Sequence, residues 1–191
     1  MDMMQSRLFD RLRSLGMSPD VVPYPAHKTV EEGKMLRGVM VGTFTKNLLL
    51  KDKKGRLYLV VAHEDRVIDL RTLHRKIGAS GRVGFASGDQ MREILAVEPG
   101  ALTPFAVMND DAGKVGVVVD ATLFDAHQLN FHPFVQTLSM GICPRDLVSF
   151  VRSCEREPIT VRLDIDCTEQ AMCTENLSSG VVVMKSAQDG K

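Results

Sequence analysis

Between Met3 and Leu15 the apolar residues Met4, Leu8, Leu12 and Leu15 recur every three or four positions and Gly16 follows, which predicts an opening amphipathic helix with a stop. After Ser18-Pro19, Val21 to Pro25 reads as a short extended piece whose prolines suit an edge. Thr29 with Glu32 three residues on is a capping-box pattern, predicting a helix through about Leu36. Val39 to Val41 is expected as a strand leading through Gly42 into a loop that carries Thr45, Lys46 and Asn47. That loop runs into a strand from Asn47 to Lys51. Asp52-Lys53-Lys54-Gly55 is a hairpin turn, and Arg56 to His63 is the returning strand.

Further on, Asp69 to Ile77 has helical spacing, with Leu70, Leu73 and Ile77 on one face and Gly78 at its end. Val83 to Ala86 is expected as a strand, and Ser87 starts a helix that runs through Leu95. Two prolines and a glycine make Val97 to Pro104 a loop. Phe105 to Met108 and Val115 to Val119 are expected as strands joined by the polar turn Asn109 to Gly113. Leu129 to Pro133 and Val135 to Ile142 are two more. A helix opens at Pro144 or Arg145, with Leu147, Phe150 and Val151 inward, and Ile159 to Leu163 is the last strand. This irregular alternation with hairpin-length connections predicts an α/β fold of the mixed α+β kind rather than a doubly wound one. Residues 1–164 are expected as one domain. In residues 165–191 large apolar residues are few and only Val181 to Met184 could pair as a strand, so this part is expected as a C-terminal tail.

A 44% apolar fraction in 191 residues supports one full core. Lysine plus arginine equals aspartate plus glutamate at 24 each, so no global field draws the chain to nucleic acid or anionic membranes. Contact with nucleic acid must then be local. The apolar runs are too short to cross a bilayer, and four cysteines without a C-x-x-C pair suit reduced thiols, so a cytoplasmic protein is expected. No histidine pair has ligand spacing, and there is no nucleophile elbow, P-loop or dinucleotide fingerprint. Neither metal nor cofactor is expected.

Three polar clusters fall at predicted loops and strand ends: Thr45-Lys46-Asn47, Gly100-Ala101-Leu102-Thr103-Pro104 and Asn130-Phe131-His132-Pro133. Each also has a structural reading. Lys46 can be a solvated strand-end lysine, Gly100 and Pro104 can simply make a turn, and His132 can be packed or hydrogen-bonded. The functional reading gives Lys46 a cation aimed from a rigid strand, and lets Gly100 bring a backbone N–H close to a ligand carbonyl. Asn130 and His132, two apart on a strand, project from one face.

The order H-K-T-V-E-E-G-K at 27 to 34, T-K-N-L-L-L-K-D at 45 to 52, V-E-P-G-A-L-T-P-F at 97 to 105 and N-F-H-P at 130 to 133 resembles the YbaK-like superfamily of aminoacyl-tRNA editing domains. Within it the chain is most similar to the free-standing prolyl-tRNA synthetase associated domain proteins of the ProXp-ala type, over roughly Leu8 to Leu163. The resemblance implies a mixed, partly closed sheet flanked by helices and metal-independent hydrolysis of mischarged tRNA, with alanine on proline-specific tRNA as substrate. It assigns the catalytic positions to Lys46, Gly100 and His132, and the substrate-binding ones to Phe44, Thr45, Asn47, Ala101, Leu102, Thr103, Pro104 and Asn130.

The chain departs from the family at Phe44, where a histidine is usual, and at Gln136, Leu138, Ser139, Met140 and Gly141, where an asparagine and threonines are common. These positions border the family's pocket and bear on its size. Ester hydrolysis itself needs little machinery, because a backbone N–H can stabilise the developing oxyanion and a cation can hold the acyl-adenosine end in place. Lys51, Lys53, Lys54 and Arg56 around the hairpin, and Arg71, His74, Arg75 and Lys76 on one helix, are the local basic surfaces. Of these, Lys51, Lys53, Lys54, Arg75 and Lys76 are the expected tRNA contacts; either cluster can also be a solvated face. Prolyl-tRNA synthetase is the expected protein partner. Two other readings stay open: an editing hydrolase of different amino-acid specificity, and a catalytically altered module that docks on a synthetase.

Overall fold

The computed structural model describes residues 2–25 and 40–164, with Glu32, Met35 and Gly38 between them. Helix α1 (Met3–Ser14) opens with a capping box in which the Asp2 carboxylate accepts from the Gln5 N–H at 2.8 Å and Gln5 reaches back to the Asp2 N–H. Its Leu8 and Leu12 are fully buried. Strand β1 (Asp20–Pro23) follows, then the hairpin of β2 (Thr43–Lys51) and β3 (Leu57–His63). The hairpin tip is organised by Asp52, whose carboxylate accepts backbone N–H groups from Lys54, Arg56 and Ser80, each at 2.9 Å. Helix α2 (Leu73–Ile77), strand β4 (Gly84–Phe85) and helix α3 (Gly88–Leu95) come next. Strands β5 (Val115–Asp120), β6 (Leu129–Phe131) and β7 (Leu138–Ile142), helix α4 (Pro144–Ser153) and strand β8 (Ile159–Val161) complete the chain order.

The strands form one sheet in the order β1-β7-β6-β2-β3-β5-β8, with β4 also on β2. Pairs β2–β6, β3–β5 and β5–β8 are parallel; the others are antiparallel. This is the mixed α/β fold expected from the sequence. Because side chains alternate across a strand, the sheet separates two cores. Leu49, Leu59, Val61, Val117 and Val119 pack on one face with α1, α3 and α4. Leu50, Tyr58, Val60 and Val118 pack on the other with Leu73 and Ile77 of α2.

Several elements differ from their sequence patterns. Thr45, Lys46 and Asn47 are not in a loop: β2 starts at Thr43, since Thr43 and Phe44 register against Leu129 and Asn130 while Thr45 to Lys51 register against His63 to Leu57. Ladder pairing extends the strand past its apolar run. Phe105 to Met108 is not a strand but part of a 3-10 helix, Pro104–Asn109, with Pro104 in its first turn and the Ala106 N–H on Thr103 O at 3.1 Å. Proline fixes φ for a helical turn there. Phe105 then stacks edge-on against Phe131 and Phe150, with centroids 5.5 and 5.0 Å away. The helix expected from Asp69 starts only at Leu73, because the Asp69 carboxylate takes the Arg71 N–H into a separate turn. Met40 and Val41 are not in a strand. Strand β6 stops at Phe131 and β7 begins at Leu138, since Phe134 turns the chain at φ 63°. Val39 and residues 165–191 lie outside the described residues, as does the helix expected at 29–36 apart from Glu32 and Met35. Among the described residues no helix is long and apolar enough to cross a membrane.

Candidate functional site

One edge of β2 changes partner along its length. Thr43 and Phe44 are registered with β6, Leu50 and Lys51 with β4, and among the described residues no strand is registered against positions 45–49 on that side. Thr43 donates its N–H to Gln128 O at 2.8 Å, and Leu49 O accepts from the Ala86 N–H at 2.9 Å, both across this edge. Backbone groups alternate direction along a strand, so the peptide groups of Thr45 and Asn47 face the interval. Thr45 also donates its hydroxyl to Asn130 O at 3.0 Å, which holds the β6 side of the opening.

Lys46 and Asn47 leave β2 on opposite faces. Asn47 is the residue that reaches the Gly100–Pro104 loop: its Nδ2 donates to Leu102 O at 3.0 Å, while its Oδ1 and the Thr103 Oγ1 are buried without a hydrogen-bond partner among the described residues. Such orphaned acceptors are costly unless a ligand or water completes them. Gly100 has φ +92°, a conformation open to glycine, and its carbonyl accepts from the Gln136 side chain at 2.8 Å. Ala101 and Leu102 are half-buried, and Pro104 is buried at the start of the 3-10 helix.

The Lys46 ammonium does not turn toward that loop. It donates to the Arg66 carbonyl in the turn after β3. Burial is the main reason its pKa is lowered from the ordinary lysine value; the Arg66 charge lowers it further, while Asp65 and Glu64 oppose. Lys46 and the Gly100 turn, both of which the resemblance assigns to the catalytic positions, are therefore not brought together; Asn47 makes the link to that loop instead. The physical reason is the two-residue period of a strand that begins earlier than its apolar run.

On the Lys46 face, Phe44 is registered beside Asn130, and ring contacts bring Tyr24 against Phe44 and His132. The Tyr24 ring lies 6.0 Å from that of Phe44 and 5.5 Å from that of His132. His132 Nδ1 sits 2.8 Å from Leu138 O; a carbonyl only accepts, so Nδ1 is the donating nitrogen of this pair. Asn130 is 5% exposed and acts within the fold: Nδ2 donates to Val41 O at 2.8 Å, and Oδ1 accepts from Gln128 Nε2 at 3.2 Å. It braces the chain entering β2.

The hairpin tip is tied to the chain that follows α2, because Lys53 N–H bonds Ser80 O at 3.3 Å and Asp52 holds the Ser80 N–H. Lys53 and Lys54 are exposed at the hairpin tip. Lys51 instead donates to Gln90 Oε1 at 3.1 Å, and Lys76 to Asp164 O at 2.6 Å, so both ammonium groups are engaged by the protein itself. Arg75 stands on α2.

Sequence reasoning passes over the set around Arg66. Its guanidinium bonds Asp120 Oδ2 at 2.9 Å, Thr122 Oγ1 at 2.9 Å and the Asp164 carboxylate. Asp120 is fully buried at the end of the run Val117-Val118-Val119. A carboxylate closing an apolar strand is the sequence signal for a buried charge in need of a partner. Among the described residues no group of three or more His, Cys, Asp or Glu side chains is placed to hold a metal ion.

Comparison with known proteins places this geometry. A sequence model of the aminoacyl-tRNA editing domain matches residues 24–150. The prolyl-tRNA synthetase associated domain-containing protein 1 of Bos taurus is 36% identical over 165 residues, which is 84% of this chain and 96% of that protein. The prolyl-tRNA editing protein ProX of Acetoanaerobium sticklandii is 35% identical over 144 residues, covering 75% of this chain and 87% of that protein. A crystal structure of a candidate trans-editing enzyme for prolyl tRNA synthetase superposes with a TM-score of 0.65 at 18% identity, over 86% of this chain and 99% of that one, which shows a shared fold. Since the editing-domain match spans both sides of the open β2 edge and most of the chain, the chain belongs to the aminoacyl-tRNA editing domain family.

Proposed function

We propose that this protein hydrolyses the ester of mischarged tRNA, without a metal ion, and that alanine on proline-specific tRNA is its substrate. The observation that carries the reading is the editing-domain match over residues 24–150, which takes in the open edge of β2, the Gly100–Pro104 loop braced on it by Asn47, and the His132 face. The names of the relatives support proline-specific tRNA as the class and prolyl-tRNA synthetase as a partner. A cytoplasmic location follows from that role.

An aminoacyl ester is already activated, so the site has three tasks. It must hold the acyl-adenosine end, admit one water and stabilise the oxyanion. Peptide N–H groups at the β2 edge or in the Gly100 loop suit the last task, because they carry partial positive charge at no reorganisation cost. Lys46, on the face it shares with Phe44 and His132, holds the adenosine or its phosphate by charge, a positioning role without proton transfer. Asn47 Oδ1 and Thr103 Oγ1, both lacking hydrogen-bond partners among the described residues, suit polar groups of the aminoacyl moiety. Phe44 and Tyr24 stand on the other face of β2, beside Lys46, and rejection of the larger cognate amino acid rests on steric fit. The exposed cations Lys53 and Lys54 at the hairpin tip, with Arg75, meet the acceptor stem, whereas Lys51 and Lys76 act mainly within the fold.

The test is single-turnover deacylation of proline tRNA carrying alanine, serine or proline, by the parent and by Lys46→Ala. The parent is expected to clear alanine and spare proline. Lys46→Ala is expected to lose on the order of 100-fold, the scale of a misplaced reacting group, while remaining folded. Parental rates in folded Lys46→Ala would remove Lys46 from the site. Hydrolysis of no ester by the parent, with retained binding to a synthetase, would replace the enzyme reading with a docking module.

A further inference from the structure

Arg66 sits in the turn that follows β3, outside every motif that pointed to the site. Three bonds shape the turn before it: Glu64 N–H to Phe44 O at 3.0 Å, Arg66 N–H to His63 O at 2.9 Å, and Asp65 N–H to His63 Nδ1 at 3.1 Å. They place residues 63–65 but leave the Arg66 carbonyl to be aimed by what its own side chain grips. The guanidinium is a planar fork with fixed donor directions, and here it is held on three sides by Asp120, Thr122 and Asp164. Asp120 is itself fixed. It is fully buried, and its other oxygen accepts from the N–H groups of Thr122 at 3.2 Å and Leu163 at 3.5 Å. The result is a chain of contacts from the ends of β5 and β8, through one guanidinium, to the carbonyl that receives the Lys46 ammonium.

We propose that Arg66, clamped by Asp120, Thr122 and Asp164, is a positioning residue for Lys46, setting where its ammonium stands for the reaction. The proposal rests on the reading of Lys46 given under Proposed function. The competing account is that Arg66 merely ties β5 to the chain after β8; it predicts lost stability and, beyond the loss of the Arg66 charge itself in Arg66→Ala, no change at Lys46, so that Arg66→Lys and Thr122→Val leave its titration where it was. Among the described residues the charged groups facing Lys46 are Glu64, Asp65 and Arg66, all from this one turn. Loosening the clamp lets the turn open and the ammonium rehydrate, so the lysine moves back toward its ordinary titration range.

The experiment uses the full chain with isotope-labelled lysines, the Lys46 signal being identified by its loss in Lys46→Arg. Its titration is followed by NMR in the parent, Arg66→Ala, Arg66→Lys and Thr122→Val, alongside single-turnover deacylation. In the parent, Lys46 is expected to titrate below the other lysines. In Arg66→Ala it moves up toward them, and the rate falls about 10-fold with little change in the substrate concentration needed, a smaller loss than that of removing the ammonium. Arg66→Lys keeps the charge but not the fork, and is expected to behave as Arg66→Ala does. Thr122→Val, which removes one donor-acceptor contact at a half-buried position, shifts Lys46 the same way by less, and decides the matter if Arg66→Ala does not fold. An unchanged Lys46 titration in a folded variant overturns the proposal. If Lys46 shifts but Lys46→Ala keeps parental deacylation, the clamp stands and the catalytic reading of Lys46 is what fails.

Discussion

Gly42→Ala tests whether the chain entering β2 is braced as described. Gly42 has φ +97°, and a Cβ there would lie 2.7 Å from Asn130 Nδ2, 3.1 Å from Gln128 O and 3.2 Å from Gln128 Cβ. Two costs follow. Holding an L-residue in this conformation costs roughly 1–2 kcal/mol. Pushing aside a buried amide that donates to Val41 O at 2.8 Å adds about 1–3 kcal/mol. The expected sum is near ~3 kcal/mol, read as a melting temperature lowered by about 6–12 °C for a chain of this size. Equilibrium urea unfolding of Gly42→Ala, Asn130→Ala and the double variant separates the terms. With Asn130 truncated, the contact with Nδ2 is gone and Gly42→Ala retains the backbone cost and the looser Gln128 contacts, so the coupling energy should be about 1–2 kcal/mol. Equal costs in both backgrounds would refute the steric account, and a single-variant cost under about 0.5 kcal/mol would refute both parts.

Two more predictions concern parts of the fold that frame the site. Phe105→Ala, which removes a fully buried ring stacked edge-on against Phe131 and Phe150, should cost about 3–5 kcal/mol in urea unfolding; a loss below about 1.5 kcal/mol would mean that the 3-10 segment is not a core element. Asp52→Asn tests the hairpin tip. The Ser80 N–H foremost, then those of Arg56 and Lys54, hold the Asp52 carboxyl below its ordinary pKa. A folded pKa below the unfolded value, near about 3.9, gives stability that is present above that value and lost as pH falls through the folded one. Melting temperatures should therefore separate parent and variant at neutral pH and converge in acid. A gap of the same size at both would exclude the carboxylate charge as its source.

The β2–β3 hairpin was readable because Leu48-Leu49-Leu50 and the run from Leu57 to Ala62 flank a turn with Asp and Gly at its ends, a purely local pattern. So was the Ser87 start of α3, where Ser87 and Gln90 form the capping box. Phe105 to Met108 misled for a physical reason: four consecutive apolar residues have no period, and only the burial of all four against α3 and α4 selects a helical turn. The candidate site residues stand out in the sequence as polar clusters, but their directions do not. Whether Lys46 or Asn47 faces the Gly100 loop depends on where β2 begins, and Thr43 and Phe44 begin it only because Leu129 and Asn130 lie alongside, 86 positions later in the register. The Arg66–Asp120 pair, 54 residues apart in sequence, likewise exists only through the parallel β3–β5 pairing.

The short opening in the β2 ladder also bears on how this fold avoids self-association. Unpaired strand edges ordinarily recruit other chains, and a long flat one invites fibril growth. Among the described residues the gap is five positions, about 17 Å at the usual rise, and it is stoppered at one end by β6 and at the other by β4. A foreign strand seeking to zip along it would collide with both stoppers before forming a stable ladder. The interruption thus leaves peptide groups off the ladder without offering a template for aggregation.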